Sequence, residues 1–346
     1  MQKVYVGLSG GVDSAVSAAL LKERGYDVTG VFIKIWQPEF IECTWREDRL
    51  DAMRVAAHLE IPFKEIDLSA EYKKDVVSAM ISDYESGITP NPDVLCNTHI
   101  KFGAFFEWAI REGADFVATG HYAQTKDGRL YRGVDTEKDQ SYFLHGLGES
   151  QLQRTLFPAG ELTKAETRAH ARRFALPNAE KPDSQGLCFV GDVSMRDFLA
   201  RYISLTEGAV LDIRGKSVGV HDGAALYTIG QRHGFNVRGD NPTVTHYVTA
   251  VDSKANTITV SVHREDAART QTLVQSMHWI HAEPSLEEDY FIQMRYREQP
   301  TISKLIKKSD RYEVALLKPV VYSKGQSLVV YRKDECLGGG VITDGR

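Results

Sequence analysis

The sequence predicts an α/β protein: a doubly wound parallel-sheet domain followed by two small β domains, the last of them a β-barrel. Three observations support this expectation. Strand and helix patterns alternate through residues 1–200, short strands separated by Gly, Asp and Asn follow, and a strand turns into a helix through a double glycine near the N-terminus. The expected domains are residues 1–200, 201–268 and 269–346.

The alternation in the first domain can be followed element by element. A strand over residues 4–8 leads into a helix over 15–24, and Gly25 is a typical residue just past a helix end. Thr163 and Glu166 form a capping-box pattern that predicts a helix to about residue 174. Between them the patterns predict helices over 46–59, 71–86 and 100–111 and strands over 27–35, 63–68 and 116–119.

Past residue 200 the patterns become those of β domains. Residues 257–262 alternate cleanly between apolar and polar, as in a half-buried strand. Further strands are expected at residues 209–212, 247–251, 291–296, 312–317 and 327–331.

The composition is that of a globular protein with several domains. The chain has 346 residues, 42% hydrophobic and 26% charged, and a net charge of −5, so a nucleic-acid partner would need a local basic patch. No apolar run is long enough to span a membrane, and the first strand begins too early for a leader peptide, so we expect a cytoplasmic protein. The four cysteines form no CxxC pair, which argues against a zinc ribbon.

The double-glycine loop, Ser9-Gly10-Gly11-Val12-Asp13-Ser14, has the features of a phosphate cradle. Glycines let the backbone approach an anion, and the N–H groups at a helix start attract it. Asp13 would face a phosphate through Mg²⁺. The loop lacks the Gly-Lys-Ser/Thr of a Walker motif and resembles the SGGxDS loop of the N-type ATP pyrophosphatases.

Two cysteines lie in loops that suggest sulfur chemistry. Cys96 follows a proline-rich loop and precedes a helix expected near residue 97, where the helix dipole would stabilise a thiolate. Asp93 would serve as a general acid or base there, although capping by Asp93 and packing by Cys96 are equally possible. Cys188 lies in a segment with glycine and polar neighbours, which allows exposure, although the segment alone slightly favours packing under a surface loop.

The helix after Thr163 carries one basic ridge, formed by Lys164, Arg168, Arg172 and Arg173. Such a ridge binds phosphates or is simply a solvated face, and the sequence leaves both open.

Several motifs occur together in an order that resembles the tRNA-specific 2-thiouridylases. The resemblance extends over nearly the whole chain, and only the first motif is shared broadly among ATP pyrophosphatases. The motifs are SGGVDS (9–14), NPDVLCN (91–97), ATGHY (118–122), KDQSYFL (138–144), DSQGLCFVG (183–191), TIGQRHG (228–234), RYR (295–297) and CLGGGVI (336–342).

The resemblance implies an ATP-dependent tRNA sulfurtransferase with an ATP pyrophosphatase domain. ATP with Mg²⁺ adenylates O2 of the wobble uridine, and a persulfide on Cys188, supplied by a sulfur-relay donor protein, gives 2-thiouridine. Cys96 corresponds to the nucleophile, which closes a disulfide with Cys188, and Asp93 to the acid/base. ATP contacts are implied for Gly7, Leu8, Ser9, Gly10, Gly11, Val12, Asp13, Ser14, Ile33 and Gly120. Contacts with tRNA are implied for Asn91, Pro92, Asp93, His121, Lys138, Asp139, Gln140, Arg295, Tyr296 and Gln326.

Three other interpretations stay open from the sequence. One is another adenylating ATP pyrophosphatase, although Gln2 stands where a built-in glutaminase would need a cysteine. A second is a cluster-dependent tRNA thiolase, with Asp93, Cys96 and Cys188 as iron–sulfur ligands. The third is a non-catalytic RNA-binding module, against which the intact Ser9, Asp13 and Ser14 argue.

Overall fold

The structure is a computed structural model that describes residues 1–40, 45–183, 193–238, 244–309 and 311–343. Cys43 and Cys188 therefore lie outside the described residues, as does any contact of Cys188 with Cys96.

The first domain is built on a five-stranded parallel sheet in the order β3-β2-β1-β4-β7. Because the strand order reverses direction between β1 and β4, this edge is the switch point of a doubly wound sheet. The strands are β1 Lys3–Gly7, β2 Asp27–Lys34, β3 Phe63–Asp67, β4 Phe116–Ala118 and β7 Thr155–Leu156.

Helices cover both faces of this sheet, as the sequence predicts. Val4 and Val6 of β1 pack into one core and Tyr5 into the other, which follows from the alternation of side chains along a strand. The helices are α1 Val12–Glu23, α2 Trp45–His58, α3 Ser69–Tyr72, α4 Ala79–Glu85, α5 Pro92–Leu95, α6 Phe106–Arg111, α7 Glu149–Leu152, α8 Lys164–Arg173 and α9 Met195–Leu199. The π-helical stretches Lys73–Ser78 and Cys96–Phe105 join α3 to α4 and α5 to α6.

The helix expected to begin near residue 97 begins instead at Pro92. Proline suits the first turn of a helix because its missing N–H is not needed there. The Asn91 side chain accepts a hydrogen bond from Val94 N at 3.4 Å and caps this end, so Asp93 is not the cap. Cys96 therefore lies inside the helix, beyond its first turn, and is buried.

The middle domain is a five-stranded sheet in the order β10-β9-β8-β12-β11, with β8 and β12 parallel and the other pairs antiparallel. Its strands are β8 Gly208–Leu211, β9 Ser217–His221, β10 Phe235–Val237, β11 Tyr247–Asp252 and β12 Thr257–Ser261.

The last domain is the expected barrel, because six antiparallel strands close on themselves through the pairing of β13 with β18. Closure brings β13 against the triple glycine of β18: a Cβ on Gly338 would lie 2.1 Å from His278 O. The strands are β13 Arg269–Trp279, β14 Asp289–Gln293, β15 Thr301–Lys308, β16 Arg311–Val320, β17 Ser327–Arg332 and β18 Glu335–Thr343. The strand expected over 291–296 thus ends at Gln293, and Arg295 begins a turn that Glu298 N closes onto Arg295 O.

A hairpin from the first domain extends the barrel sheet, which the sequence did not predict. Strands β5 Ala123–Lys126 and β6 Arg129–Arg132 pair with each other, and β6 pairs with β18. The buried Asp139 carboxylate fixes this joint: it accepts from Arg132 Nη1 at 2.8 Å and from Gly133 N at 3.0 Å, and Ser141 donates to it from both N and Oγ.

We expect Arg132→Ala to destabilise the protein by about 3–5 kcal/mol, because it leaves the buried Asp139 carboxylate without its counter-charge. The matched control is Arg129→Ala on the same strand. Arg129 pairs with Glu335 but is 45% exposed, so water screens this pair and its loss should cost much less stability than the loss of Arg132. Denaturant unfolding measures the stability of both variants. If Arg132→Ala were no less stable than Arg129→Ala, the buried Arg132–Asp139 pair would not be what fixes this joint.

Candidate nucleotide and thiol site

The glycine-rich loop lies at the switch point of the sheet. Strands β1 and β4 end side by side, so the loop after Gly7 meets the residues after Ala118. Gly120 lies directly against the loop: a Cβ there would be 2.6 Å from Ser14 N and 2.8 Å from Asp13 C. Ile33, near the end of β2, packs over Gly7: a Cβ added to Gly7 would lie 3.7 Å from Ile33 Cδ1. The expected ATP residues therefore share one edge of the sheet.

Internal hydrogen bonds hold the loop in a cradle shape. Ser9 N donates to Ser14 Oγ at 3.3 Å, Gly11 N to Ser9 Oγ at 3.3 Å, and Ser14 Oγ to Gly11 O at 3.1 Å. Gly10 has a φ of +78°, a conformation that favours glycine. Among the described residues, no side chain caps α1 at Gly11, so its first N–H groups remain available to an anion.

Asp13 lies at the mouth of the cradle in a network of charges. Its Oδ1 accepts from Lys164 Nζ at 2.6 Å and from Tyr122 Oη at 2.9 Å. Lys164 also pairs with Asp183 at 2.8 Å, and Asp183 accepts from Lys138 and Arg168 as well. Burial raises the pKa of Asp183, but the hydrogen bonds and charges of Lys164 and Lys138 outweigh that effect and lower the pKa to about 2. The network links the phosphate loop to α8.

The basic ridge on α8 is paired within the chain. Lys164 and Arg168 bind the carboxylates of this network, Arg172 binds Glu180 at 2.8 Å, and Arg173 binds Glu23 at 2.9 Å. This pairing favours a structural role over phosphate binding by the ridge.

A second cluster joins Cys96 to the nucleotide edge through Lys101. The π-helical stretch that starts at Cys96 places Lys101 one i→i+5 turn later. Lys101 Nζ lies 3.4 Å from His121 Nε2, and His121 Nδ1 lies 2.7 Å from the Thr119 hydroxyl. His121 directly follows Gly120, so the thiol helix and the phosphate loop meet at the end of β4.

Burial shifts the pKa values of two groups near Lys101, namely Asp93 and His121. It raises the pKa of Asp93, and the Lys101 ammonium partly opposes that rise. Burial and Lys101 both hold the pKa of His121 well below its usual range, so the ring is neutral. Asp93 thus retains a proton more readily than an exposed aspartate, which suits an acid/base role beside Cys96.

The loop before Asp93 is held at a corner where the three domains meet. Gln326 of the barrel donates to Thr89 O at 3.0 Å and to Pro90 O at 2.8 Å, and Gly325 fits so closely that a Cβ would lie 2.7 Å from Thr89 O. The Thr89 hydroxyl lies 3.3 Å from that of Thr228 in the middle domain. Gln326, expected at the RNA, therefore positions the residues expected to hold the target base.

The expected RNA residues divide into two groups. Asp139 and Gln140 serve the fold, since Asp139 is 6% exposed and Gln140 Oε1 accepts from Tyr122 N at 2.9 Å. His121 is also buried, whereas Lys138 is partly exposed beside Asp183. Arg295 and Tyr296 lie on a turn at the three-domain corner, where Tyr296 contacts Phe143 with ring centroids 4.5 Å apart.

Two lysines of the candidate site were not assigned to it from the sequence. Lys101 gave no signal, because its relation to Cys96 depends on the π-helical turn. Lys164 was grouped with the ridge by its helical spacing, whereas its contacts with Asp13 and Asp183 are tertiary. Among the described residues, no three His, Cys, Asp or Glu side chains converge as a metal site, and Cys188, required by the cluster interpretation, lies outside them. Nor is any helix in those ranges long and apolar enough to cross a bilayer.

The switch-point loop and the layered sheet define a nucleotide-binding α/β domain of an ATP-using enzyme. Family models agree with this class: a "tRNA methyl transferase HUP domain" matches residues 2–192, a "tRNA methyl transferase PRC-barrel domain" residues 196–262 and an "Aminomethyltransferase beta-barrel domain" residues 269–342.

Curated relatives identify the family. The chain is 41% identical over 355 residues to the tRNA-specific 2-thiouridylase MnmA of Nitrosomonas eutropha, covering 99% of this chain and 98% of the relative. It is 42% identical over 354 residues to that of Streptococcus thermophilus, covering 98% and 95%. The chain belongs to the tRNA-specific 2-thiouridylase (MnmA) family.

Solved structures align more weakly. The U34-tRNA thiolase NcsA from Methanococcus maripaludis, with its [4Fe-4S] cluster, is 19% identical with a TM-score of 0.37, covering 58% of this chain and 63% of that one. This likeness is too low to carry an argument.

Asp93→Asn should stabilise the folded protein at neutral pH, because this half-buried, partly desolvated carboxylate costs stability once it ionises. A raised folded-state pKa means that stability falls as the pH rises through it. The melting temperature of the variant should therefore exceed that of the wild type at neutral pH and match it in acid, below the pKa of the unfolded chain. Asp27→Asn, at the exposed start of β2, is the control. A variant less stable than the wild type at neutral pH would contradict this account.

Proposed function

We propose that the protein is an ATP-dependent tRNA 2-thiouridylase that adenylates O2 of the wobble uridine and then replaces it with sulfur. One observation carries the proposal: the phosphate loop and the helix bearing Asp93 and Cys96 converge on Gly120 and His121. A nucleotide held at the loop can thus reach the same pocket as a base held at Asn91–Asp93. Membership of the family supports the same substrate.

Adenylation solves the chemical difficulty of the reaction. A uracil carbonyl has no leaving group, and transfer of AMP to O2 with release of pyrophosphate makes one. The first N–H groups of α1 would hold the phosphates, and Lys164 stands beside Asp13 at the loop mouth. The base must leave its stack to be reached, which costs less in an anticodon loop than in a duplex.

The Mg²⁺ that accompanies ATP fits at Asp13. Oδ1 of Asp13 already accepts two hydrogen bonds, and no donor among the described residues contacts its other oxygen. That carboxylate oxygen would hold the ion, which would neutralise charge on the phosphates.

Sulfur transfer then requires two cysteines. A persulfide on Cys188, loaded by a sulfur-relay donor, attacks C2 with its terminal sulfur and displaces AMP. Cys96 attacks the Cys188 sulfur of the resulting base–S–S–Cys188 linkage, which frees 2-thiouridine and leaves a Cys96–Cys188 disulfide. A thiol reductant supplies two electrons to reset the pair. Asp93 is placed to exchange protons with the reacting groups, and the proposed compartment is that of the tRNA, the cytoplasm.

Asp13→Ala should abolish tRNA-dependent formation of AMP and pyrophosphate while leaving tRNA affinity within about twofold, because the change removes a phosphate-side group alone. Pyrophosphate release and tRNA binding measure the two effects. Asp27→Ala, exposed at the opposite end of the sheet, is the control and should behave as the wild type. Pyrophosphate release near the wild-type rate from Asp13→Ala would refute residues 9–14 as the catalytic phosphate loop.

Cys96→Ser and Cys188→Ser should each lose 2-thiouridine formation yet retain tRNA-dependent pyrophosphate release, since neither thiol takes part in adenylation. Nucleoside mass spectrometry and pyrophosphate assays separate the two steps. Cys336→Ala is the control: burial in the barrel raises the pKa of the Cys336 thiol to about 12, so it supplies no thiolate. Full thiolation by either serine variant would end the two-cysteine mechanism.

A further inference from the structure

We infer that Arg232 and His233 bind the RNA backbone beside the target base, with Arg232 contacting a phosphate. Both lie in the segment Thr-Ile-Gly-Gln-Arg-His-Gly of residues 228–234, to which the adenylation and sulfur-transfer chemistry gives no role. The inference rests on the proposed tRNA function and adds a specific contact to it.

The loop that carries the pair is rigid. Gly230 and Gly234 have φ values of +84° and +93°, which favour glycine and fold the segment back on itself. The Gln231 side chain accepts from Thr228 N at 3.1 Å and donates to His233 O at 2.9 Å. Val248 exchanges two backbone hydrogen bonds with the loop, at 2.7 and 2.8 Å. A side chain presented from such a loop binds a ligand without first ordering the backbone.

The same loop contacts the segment before Asn91 on one side and the turn of the barrel on the other. Thr228 contacts Thr89, two residues before Asn91, with 3.3 Å between the hydroxyls. On the other side, a Cβ on Gly230 would lie 3.0 Å from Arg295 Nη1, so the loop packs against the turn of the barrel. Arg232 and His233 are therefore held within a few residues of the corner where the target base is expected.

The other residues of the segment shape or anchor the loop, whereas within the described ranges the side chains of Arg232 and His233 make no hydrogen bond or ion pair, and His233 contributes to the loop only through its carbonyl oxygen. Thr228, Gln231 and the glycines shape the loop, and Ile229 O accepts from Ser323 Oγ at 3.5 Å. Arg232 and His233 are exposed, and no carboxylate within the described ranges pairs with Arg232. In contrast, the cations of the α8 ridge are all paired. A guanidinium that no described carboxylate pairs, presented from a fixed loop, can bind an external anion.

The chemistry around the corner favours a single-stranded RNA as the source of that anion. The whole chain has a net charge of −5, yet Arg295 of the barrel lies directly against this loop, with its Nη1 3.0 Å from the position of a Cβ on Gly230. Next to it in the chain, Tyr296 offers an aromatic ring, and the Arg297 guanidinium lies 5.2 Å from the centroid of that ring. Cations interleaved with an aromatic ring bind phosphates and unstacked bases, and a guanidinium matches a phosphate with two parallel hydrogen bonds.

Arg232→Ala tests the inference through the salt dependence of tRNA binding. The affinity for an unmodified substrate tRNA should fall roughly tenfold at about 0.1 M salt, and the slope of log affinity against log salt should become shallower by about one unit. The same loss should appear with the isolated anticodon stem-loop, because the contact lies beside the target base. Turnover at saturating tRNA should stay unchanged while KM rises.

Arg214→Ala is the matched control, since Arg214 is exposed on the turn between β8 and β9, at the other end of β9 from the loop. It should leave affinity and salt slope unchanged. Two results would overturn this inference: an unchanged salt slope in Arg232→Ala, or a loss of affinity for full-length tRNA that does not appear with the stem-loop. If the wild type still thiolates tRNA, either result leaves the proposed function intact. A wild type that neither binds nor thiolates tRNA would overturn the proposed function as well.

Discussion

The parallel pairing of β1 with β4 is the constraint on which the candidate site depends. It brings Gly120 so close to Ser14 that a Cβ at residue 120 would lie 2.6 Å from the loop backbone. The start of α1, which would bind phosphates, is thereby fixed beside His121, and Lys101 connects His121 to the helix of Asp93 and Cys96. The order of strands, rather than any one catalytic side chain, brings two motifs about 80 residues apart in the sequence to one edge of the sheet.

The two β domains contact the loop before Asn91 from outside the α/β domain. Gln326 and Gly325 hold the loop before Asn91, and the turn with Arg295 and Tyr296 faces the same corner. The β5–β6 hairpin and the buried Arg132–Asp139 pair tie the first domain to the barrel sheet. Since each of these contacts joins different parts of the chain, the position of the target base would depend on how the domains dock.

Hydrophobic periodicity and capping patterns predicted the type and order of most helices and strands. The alternation of strands and helices, the Thr163 capping box and the closing barrel strands are all present. The start of the Cys96 helix was wrong because Pro92 and Asn91 supply a better helix start than the residues near 97. The strand over 291–296 was also too long, since Arg297 adopts a φ of +62° in the turn that follows. Such boundaries depend on capping and turn geometry that hydrophobic periodicity does not record.

The site was predicted in its parts more than in its connections. The phosphate loop, Gly120, Asp93 and Cys96 could be named from motifs, because strand ends and loops carry the chemistry of α/β enzymes. Lys101 and the Asp13–Lys164–Asp183 network could not, since their partners lie far away in the sequence and meet only through tertiary packing. The ridge on α8 shows the same limit: helical spacing places four cations on one helix, but it does not show that the fold pairs each of them with a carboxylate.

An oxygen-isotope experiment tests the central claim, that ATP activates O2 of the target uridine, most directly. Substrate tRNA carrying ¹⁸O at O2 of the wobble uridine would be incubated with the enzyme, ATP and a sulfur donor, and the AMP would be analysed by mass spectrometry. The account predicts one ¹⁸O in the phosphate of AMP for each 2-thiouridine formed. Formation of 2-thiouridine with unlabelled AMP would contradict it.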